Sequence, residues 1–384
     1  MIFLYIERHE MKKQKIANII FLIFIVSIIA FFSLSYTIIE EKSFSENENR
    51  VLQTSPKISI SKLLNGTYTH QLHNYFSDQI NMRTKMIECK ALLELLMGKK
   101  ENNGVLRGCD EYLIETPSYT QDNYELLRKN LYKIEKLIKN LKENDIGANS
   151  VIIPRKVDIL QDYFPKIYSN KRNQTIWNLV SENHTSLKNT LYDAQSNGVQ
   201  VFYKTDHHWT TEGAYFAYQE IANILGYIPY PIDNFSLISL SNEFYGTNYS
   251  KSGFFFTDSE EIKAPRIKNG RYKVTIVDTG AEFDTLYDMA YLNKKDKYSI
   301  FLSGNNAHVK IYDTENCEKE TLLIIKDSFS HSLAPYLCEH YNLELIDPRY
   351  YIGSIENYIS QNSIKNVLFL FGIDTLAIAN LSIK

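Results

Sequence analysis

The start of the chain is patterned unlike anything that follows it. From Ile16 to Ile39 there is no charge, and the only polar interruptions are Asn18, Ser27, Ser33, Ser35 and Thr37. A membrane-crossing helix needs roughly 20 apolar residues, and a signal-peptide core only about 7–15. The length predicts an uncleaved anchor over residues 16–39, with Ser33-Leu34-Ser35 leaving a cleaved signal as the alternative. Arg8, Lys12, Lys13 and Lys15 precede the stretch, and Glu40 and Glu41 follow it. The positive-inside rule then predicts a cytoplasmic tail at 1–15 and an exported remainder.

Beyond the anchor the pattern divides again. Residues 40–65 are polar, contain Pro56 and read as a linker. Residues 66–100 read as helical: Leu72, Tyr75, Phe76 and Ile80 make one stripe, and Met86, Leu92, Leu93, Leu95 and Leu96 a second, closed by Gly98. From 101 to 384 the chain reads as one α/β domain. Residues 103–108 and 112–114 suggest paired strands. Helices are predicted at 121–143, 173–197, 211–225 and from near Ser330. Strands are predicted at 149–154, 199–204, 322–325 and 367–371, with loops and β-like runs such as 272–277 and 298–302 between 227 and 315. Uninterrupted apolar strands separated by helices predict a mostly parallel sheet covered on both faces.

Composition changes this picture little. The formal net charge of −3 gives no basic field, so no nucleic-acid partner is expected. Aromatics reach 13%, with 28 Tyr; ring faces suit sugars, and a codon bias toward Ile, Asn, Lys and Tyr explains the surplus equally well. Cys89, Cys109, Cys317 and Cys338 show no CxxC spacing, so metal binding by cysteine is not expected. Outside the cell one or two disulfides are permitted, with connectivity open.

The chemistry concentrates in Thr205-Asp206-His207-His208-Trp209-Thr210, after the apolar run 199–203. In an extended segment residues i and i+2 share a side, which brings Asp206 toward His208 and turns His207 away. A carboxylate that orients an imidazole is two parts of a serine-nucleophile apparatus. The third part is offered by Lys326-Asp327-Ser328, between an apolar strand and a helix. Each piece has a plainer reading. Asp-x-His arises by chance, Asp327-Ser328 can simply cap a helix, and Trp209 either walls the site or packs in the core, core being the plainer reading. Adjacent strand residues diverge, so His207 and His208 make a poor metal pair. No nucleotide loop or cofactor motif is present, and no cofactor is expected.

The block Thr-Asp-His-His-Trp-Thr-Thr-Glu-Gly-Ala-Tyr at 205–215 resembles the signature of the bacterial DHHW protein family. The resemblance extends to Glu48-Asn49-Arg50, Tyr75-Phe76-Ser77-Asp78-Gln79, Phe244-Tyr245-Gly246-Thr247, Ser252-Gly253, Gly304-Asn305, Lys326-Asp327-Ser328 and Asp347-Pro348-Arg349-Tyr350. That family is similar to the SGNH-like domains of alginate and cell-wall polysaccharide O-acetyltransferases, in which the Asp-x-His pair precedes the serine. It implies an SGNH-hydrolase-like three-layer α/β fold with a mostly parallel sheet and a β-rich insertion. It also implies Ser328 as nucleophile, His208 as general base and acid, and Asp206 as its orienting partner. Asn305 and Gly304 resemble part of a Gly-Gly-Asn stretch that would serve the oxyanion, although the first glycine is Ser303 here. Pro154-Arg155-Lys156 resembles a Pro-x-Lys motif with no role assigned. The implied partners are a membrane-bound O-acyltransferase as acetyl source and a polysaccharide acceptor. Three functions stay open: an acetyltransferase, an esterase that uses water as acceptor, and a non-catalytic glycan-binding scaffold.

Overall fold

The computed structural model describes residues 2–38, 40–45, 50–164 and 174–383. Ile39, Glu48, Asn49 and Asn173, each part of an expectation above, lie outside them. The chain forms two compact units, residues 1–90 and 91–384.

In the first unit, helix α1 (Ile2–Ile38) contains the 22-residue span Lys13–Leu34, which is long and apolar enough to cross a membrane. A short helix at Ile60–Leu64 follows, capped by Ser59, whose side chain accepts from the Lys62 N–H at 3.2 Å. Helix α2 (Thr67–Gln79) carries Leu72, Tyr75 and Phe76 of the first expected stripe, and helix α3 (Arg83–Leu96), whose last six residues belong to the second unit, carries the second stripe.

The second unit is built on an eight-stranded sheet. In chain order its strands are β1 (Gly147–Ile153), β2 (Thr185–Ser186), β3 (Tyr272–Ile276), β4 (Ala281–Phe283), β5 (His308–Asp313), β6 (Thr321–Lys326), β7 (Asn342–Ile346) and β8 (Asn366–Gly372). The spatial order is β4-β3-β5-β7-β6-β8-β1-β2. Strands β7, β6, β8, β1 and β2 pair in parallel, and β4, β3 and β5 extend that sheet antiparallel.

Alternation along the parallel strands explains their unbroken apolar runs. On β6, Leu322 and Ile324 enter one core while Leu323 and Ile325 enter the other. The first core is closed by helices α5 (Lys188–Ser196), α6 (Thr211–Leu225) and α7 (Ser330–Leu337). The second is closed by α4 (Gln121–Glu143), whose Leu127, Leu131, Ile134, Leu137 and Leu141 fall at helical spacing, and by α8 (Ile355–Gln361) and α9 (Ile373–Ile378). A strand covered on both faces has no polar alternation to display.

Several elements differ from the sequence reading. Residues 199–204 are not a sheet strand. They open a tight hairpin with one bridge, Phe202 to Trp209, and with the Thr210 N–H donating to Val201 O at 3.0 Å. Residues 298–302 form a 3₁₀ turn (Lys297–Ile300) ending in an isolated bridge, because this segment packs its rings beneath the hairpin rather than joining a ladder. The expected helix at 173–197 resolves into a 3₁₀ turn at Gln174–Leu179, strand β2 and helix α5. Of the β-like runs at 227–315, Leu237–Phe244 and Glu260–Pro265 form a separate hairpin, and β3, β4 and β5 join the main sheet. All four cysteines are free thiols.

Candidate active site

Parallel strands collect functional groups at their carboxyl ends. Strand β6 ends at Lys326, and the chain turns through Asp327-Ser328-Phe329 into α7. Asp327 shapes that turn: its Oδ1 accepts from the Phe329 N–H at 3.1 Å, and its Oδ2 from the Gly372 N–H, at the end of β8, at 2.8 Å. Ser328 is left half-buried and lines a cavity of about 460 Å³.

The hairpin supplies the imidazole. His208 Nε2 lies 2.7 Å from Ser328 Oγ, and His208 Nδ1 lies 2.6 Å from Asp206 Oδ1. The structure thus brings Ser328, His208 and Asp206 into one hydrogen-bonded line. The partners assign the tautomer: Nδ1–H donates to the carboxylate, which leaves Nε2 to accept from the hydroxyl. The Asp206–His208 pairing does not come from strand alternation. Asp206 Oδ1 also accepts from the His208 backbone N–H at 2.9 Å, a side-chain-closed turn that curls the loop around the carboxylate.

That turn also overturns the expected divergence of the two histidines. The His207 and His208 rings sit 3.8 Å apart, and ligand atoms of Asp206, His207 and His208 lie within 4.8 Å of one another. This is close enough to share a cation. His208, however, already engages both ring nitrogens, and His207 Nδ1 lies 2.6 Å from Thr247 Oγ1.

Several neighbours were not recognisable as site residues from sequence. Asp206 Oδ2 accepts from the Thr247 N–H at 2.7 Å and from its hydroxyl at 3.1 Å. Gly246 permits this approach, since a Cβ there would fall 2.2 Å from Asp206 Cβ. Tyr298 stacks on the His208 ring at 3.8 Å and 8°. Trp209 is fully buried and donates from Nε1 to Phe329 O at 3.0 Å and to Ser332 Oγ at 2.9 Å, tying the histidine hairpin to the serine turn. Glu260 accepts from the backbone N–H groups of Lys204 and Thr205. The sequence signals were Trp209, inside the 205–215 block and read as core, and Gly246-Thr247, a glycine beside a hydroxyl residue within a motif of otherwise unassigned purpose.

Electrostatics follow from burial and these partners. Burial alone would raise the Asp206 pKa, yet His207, His208 and the donated hydrogen bonds hold it well below the carboxylate range. Burial and the neighbouring His207 pull His208 down to about 4 against the pull of Asp206. At neutral pH the pair is therefore a carboxylate and a neutral imidazole. Gly304 and Asn305 sit in the turn after Phe301, with Gly304 at φ +78° and Asn305 exposed; the cavity at Ser328 is lined by other residues, among them His207, Thr247, Lys156 and Arg349.

A sheet with a serine, an imidazole and a carboxylate gathered at its carboxyl edge defines an α/β protein with the makings of an acyl-transfer site. The DHHW protein family profile matches residues 129–346, and the chain belongs to that family. A DHHW family protein from Eubacterium siraeum superposes with a TM-score of 0.59 at 19% identity, covering 73% of this chain and 94% of that one. PatB1 of Bacillus cereus gives 0.58 at 19% identity, covering 73% of this chain and 99% of its own. At that identity the likeness is one of fold. A curated relative, described as probable alginate O-acetylase AlgJ of Pseudomonas fluorescens, is 24% identical over 177 residues, 42% of this chain. The chain spans 44% of that relative's length.

Proposed function

We propose that the protein is an extracytoplasmic serine O-acetyltransferase with an SGNH-like site, acting on hydroxyls of a cell-wall or exopolysaccharide. The observation that carries this reading is the hydrogen-bonded line Ser328–His208–Asp206, 2.7 Å and 2.6 Å between successive partners. The name of the curated relative, an alginate O-acetylase, supports the acetyl group and the polysaccharide.

In the first half-reaction Ser328 Oγ attacks the carbonyl carbon of an acetyl ester or thioester while its proton passes to His208 Nε2. Asp206 holds Nδ1–H and stabilises the imidazolium. The Ser328 N–H, which donates to no acceptor among the described residues, is the donor we assign to the developing oxyanion; the Phe329 N–H is occupied by Asp327. Asn305 and Gly304, the second donor that the family resemblance would imply, do not line the cavity at Ser328. His208 then returns its proton to the leaving group. In the second half-reaction an acceptor hydroxyl gives its proton to His208 and attacks the acetyl-serine, and Ser328 is regenerated. The acetyl source is a membrane-bound O-acyltransferase, and helix α1 anchors the chain beside it with the N-terminus inside.

Incubation of the purified chain with an activated acetyl ester and a polysaccharide acceptor tests the reading by product analysis. Ester-linked acetyl on the acceptor, absent with Ser328→Ala, is the expected result. Release of free acetate with no transfer to any acceptor would make the protein an esterase. No turnover of either kind, with or without membranes containing the acyl source, would leave a glycan-binding scaffold.

A further inference from the structure

Lys156 has no part in the chemistry above, yet it sits beside it. Strand β1 ends at Ile153, next to β8, so the turn Pro154-Arg155-Lys156 emerges at the same edge of the sheet as Ser328. Arg155 fixes that turn. Its N–H donates to Asp158 Oδ2 at 3.0 Å, and its guanidinium spans both oxygens of the same carboxylate at 2.8 and 2.6 Å. The Lys156 side chain, 3% exposed, is thereby driven inward.

Its ammonium meets three backbone carbonyls: Leu113 O at 2.7 Å, Lys204 O at 2.7 Å and Asp206 O at 2.9 Å. Three acceptors match the three N–H donors of an ammonium; a neutral amine would leave one carbonyl unmet. Two of the carbonyls belong to the hairpin that carries Asp206 and His208. The third belongs to the strand Leu113–Glu115, whose own Leu113 N–H donates to Lys204 O at 2.9 Å. The ring of Tyr112 lies 5.5 Å from Nζ; burial lowers the Lys156 pKa to about 7, against the opposing pull of the Glu260, Asp206 and Glu115 carboxylates.

We propose that Lys156 is the positioning residue for the Asp206–His208 pair, clamping the hairpin backbone at Asp206 so that His208 Nε2 stays on Ser328 Oγ. The proposal rests on the acetyl-serine reading above. Asp206 is gripped at both ends: Thr247 and His208 hold its carboxylate, and Lys156 holds its carbonyl. With the cation gone, the loop carrying the imidazole loses its hydrogen bonds to the turn that follows β1, and a shift of about 1 Å in a reacting group can cost on the order of 100-fold in rate.

The experiment follows acetylation of Ser328 by an activated acetyl ester in the full-length chain, for the wild type, Lys156→Met, Lys156→Gln and Lys156→Ala. Melting curves are recorded alongside. The expected result is a loss on the order of 100-fold in the acylation rate of Lys156→Met, with half-saturation by the ester unchanged and the midpoint of the pH–rate profile displaced. Lys156→Gln, which keeps two donors, recovers part of the rate, and propylammonium added to Lys156→Ala does the same. A folded Lys156→Met with the wild-type rate and pH profile would overturn the proposal. If Lys156→Met fails to fold, the remaining variants decide. No rescue by the cation, together with Lys156→Gln as slow as Lys156→Ala, would reduce Lys156 to a packing role. Absence of acetyl-serine in the wild type would be a failure of the functional reading rather than of this assignment.

Discussion

Asp206 is the residue on which the site turns. Its two oxygens accept four hydrogen bonds, from the backbone and ring of His208 and from the backbone and hydroxyl of Thr247. An amide in its place offers one acceptor oxygen and cannot hold Nδ1–H in the same way. Asp206→Asn is therefore expected to slow Ser328 acylation roughly 10³–10⁴-fold while the protein stays folded, as read from a burst assay with a chromogenic acetyl ester. The pH dependence tests the imbalance between burial and partner at His208. Burial and His207 hold its pKa at about 4, so the neutral, proton-accepting form dominates above that value. The acylation rate is expected to climb as pH rises through about 4. A midpoint at the ordinary imidazole value of about 6.5 would contradict this electrostatic account.

Among the elements, strands β6, β8 and β1 were legible because each is a run of apolar residues covered on both faces. Strand β7 was not. Its Glu344 interrupts the run, yet it is buried beside Lys310 directly opposite on β5, with Tyr312 and Tyr358 donating to it. Burial alone would raise the Glu344 pKa; His308, Tyr358, Lys310 and Tyr312 hold it down at about 2. A carboxylate depressed on folding stabilises the fold above its unfolded pKa of about 4.3 and loses that contribution as pH falls toward its folded value. Glu344→Gln is expected to lower the unfolding free energy by about 1–3 kcal/mol near neutral pH. That gap should close as pH falls from about 4.3 toward the folded pKa, and urea titrations along a pH series would measure it. A gap that does not change with pH would assign the loss to packing. The hairpin at 199–210 was misread for a related reason: apolar content marks Val201, Phe202 and Tyr203 as buried, and periodicity alone does not say whether a buried segment joins a ladder.

For the whole molecule, the α/β class, the large sheet and the apolar N-terminal helix could be read from pattern, because burial on two faces and a long uncharged run both leave compositional marks. Tertiary proximity leaves none. Thr247, Tyr298, Glu260 and Lys156 come from four separate stretches of chain, and only the closed fold sets them around Asp206 and His208. The site and the N-terminal helix lie in different compact units, so they are expected to be separable. Removing residues 1–38 should move the protein from the membrane to the soluble fraction and leave the rate of Ser328 acylation unchanged; retention in membranes would place the anchor elsewhere. The central claim is that Ser328 carries the acetyl group. Its most direct test is intact mass measurement of the purified chain after brief exposure to an activated acetyl ester, beside Ser328→Ala, with peptide mapping of any adduct. The account predicts one acetyl group, mapped to Ser328 and absent from the variant. An adduct that persists in Ser328→Ala, or a folded wild-type chain that takes up no acetyl group with its membrane acyl source present, would contradict it.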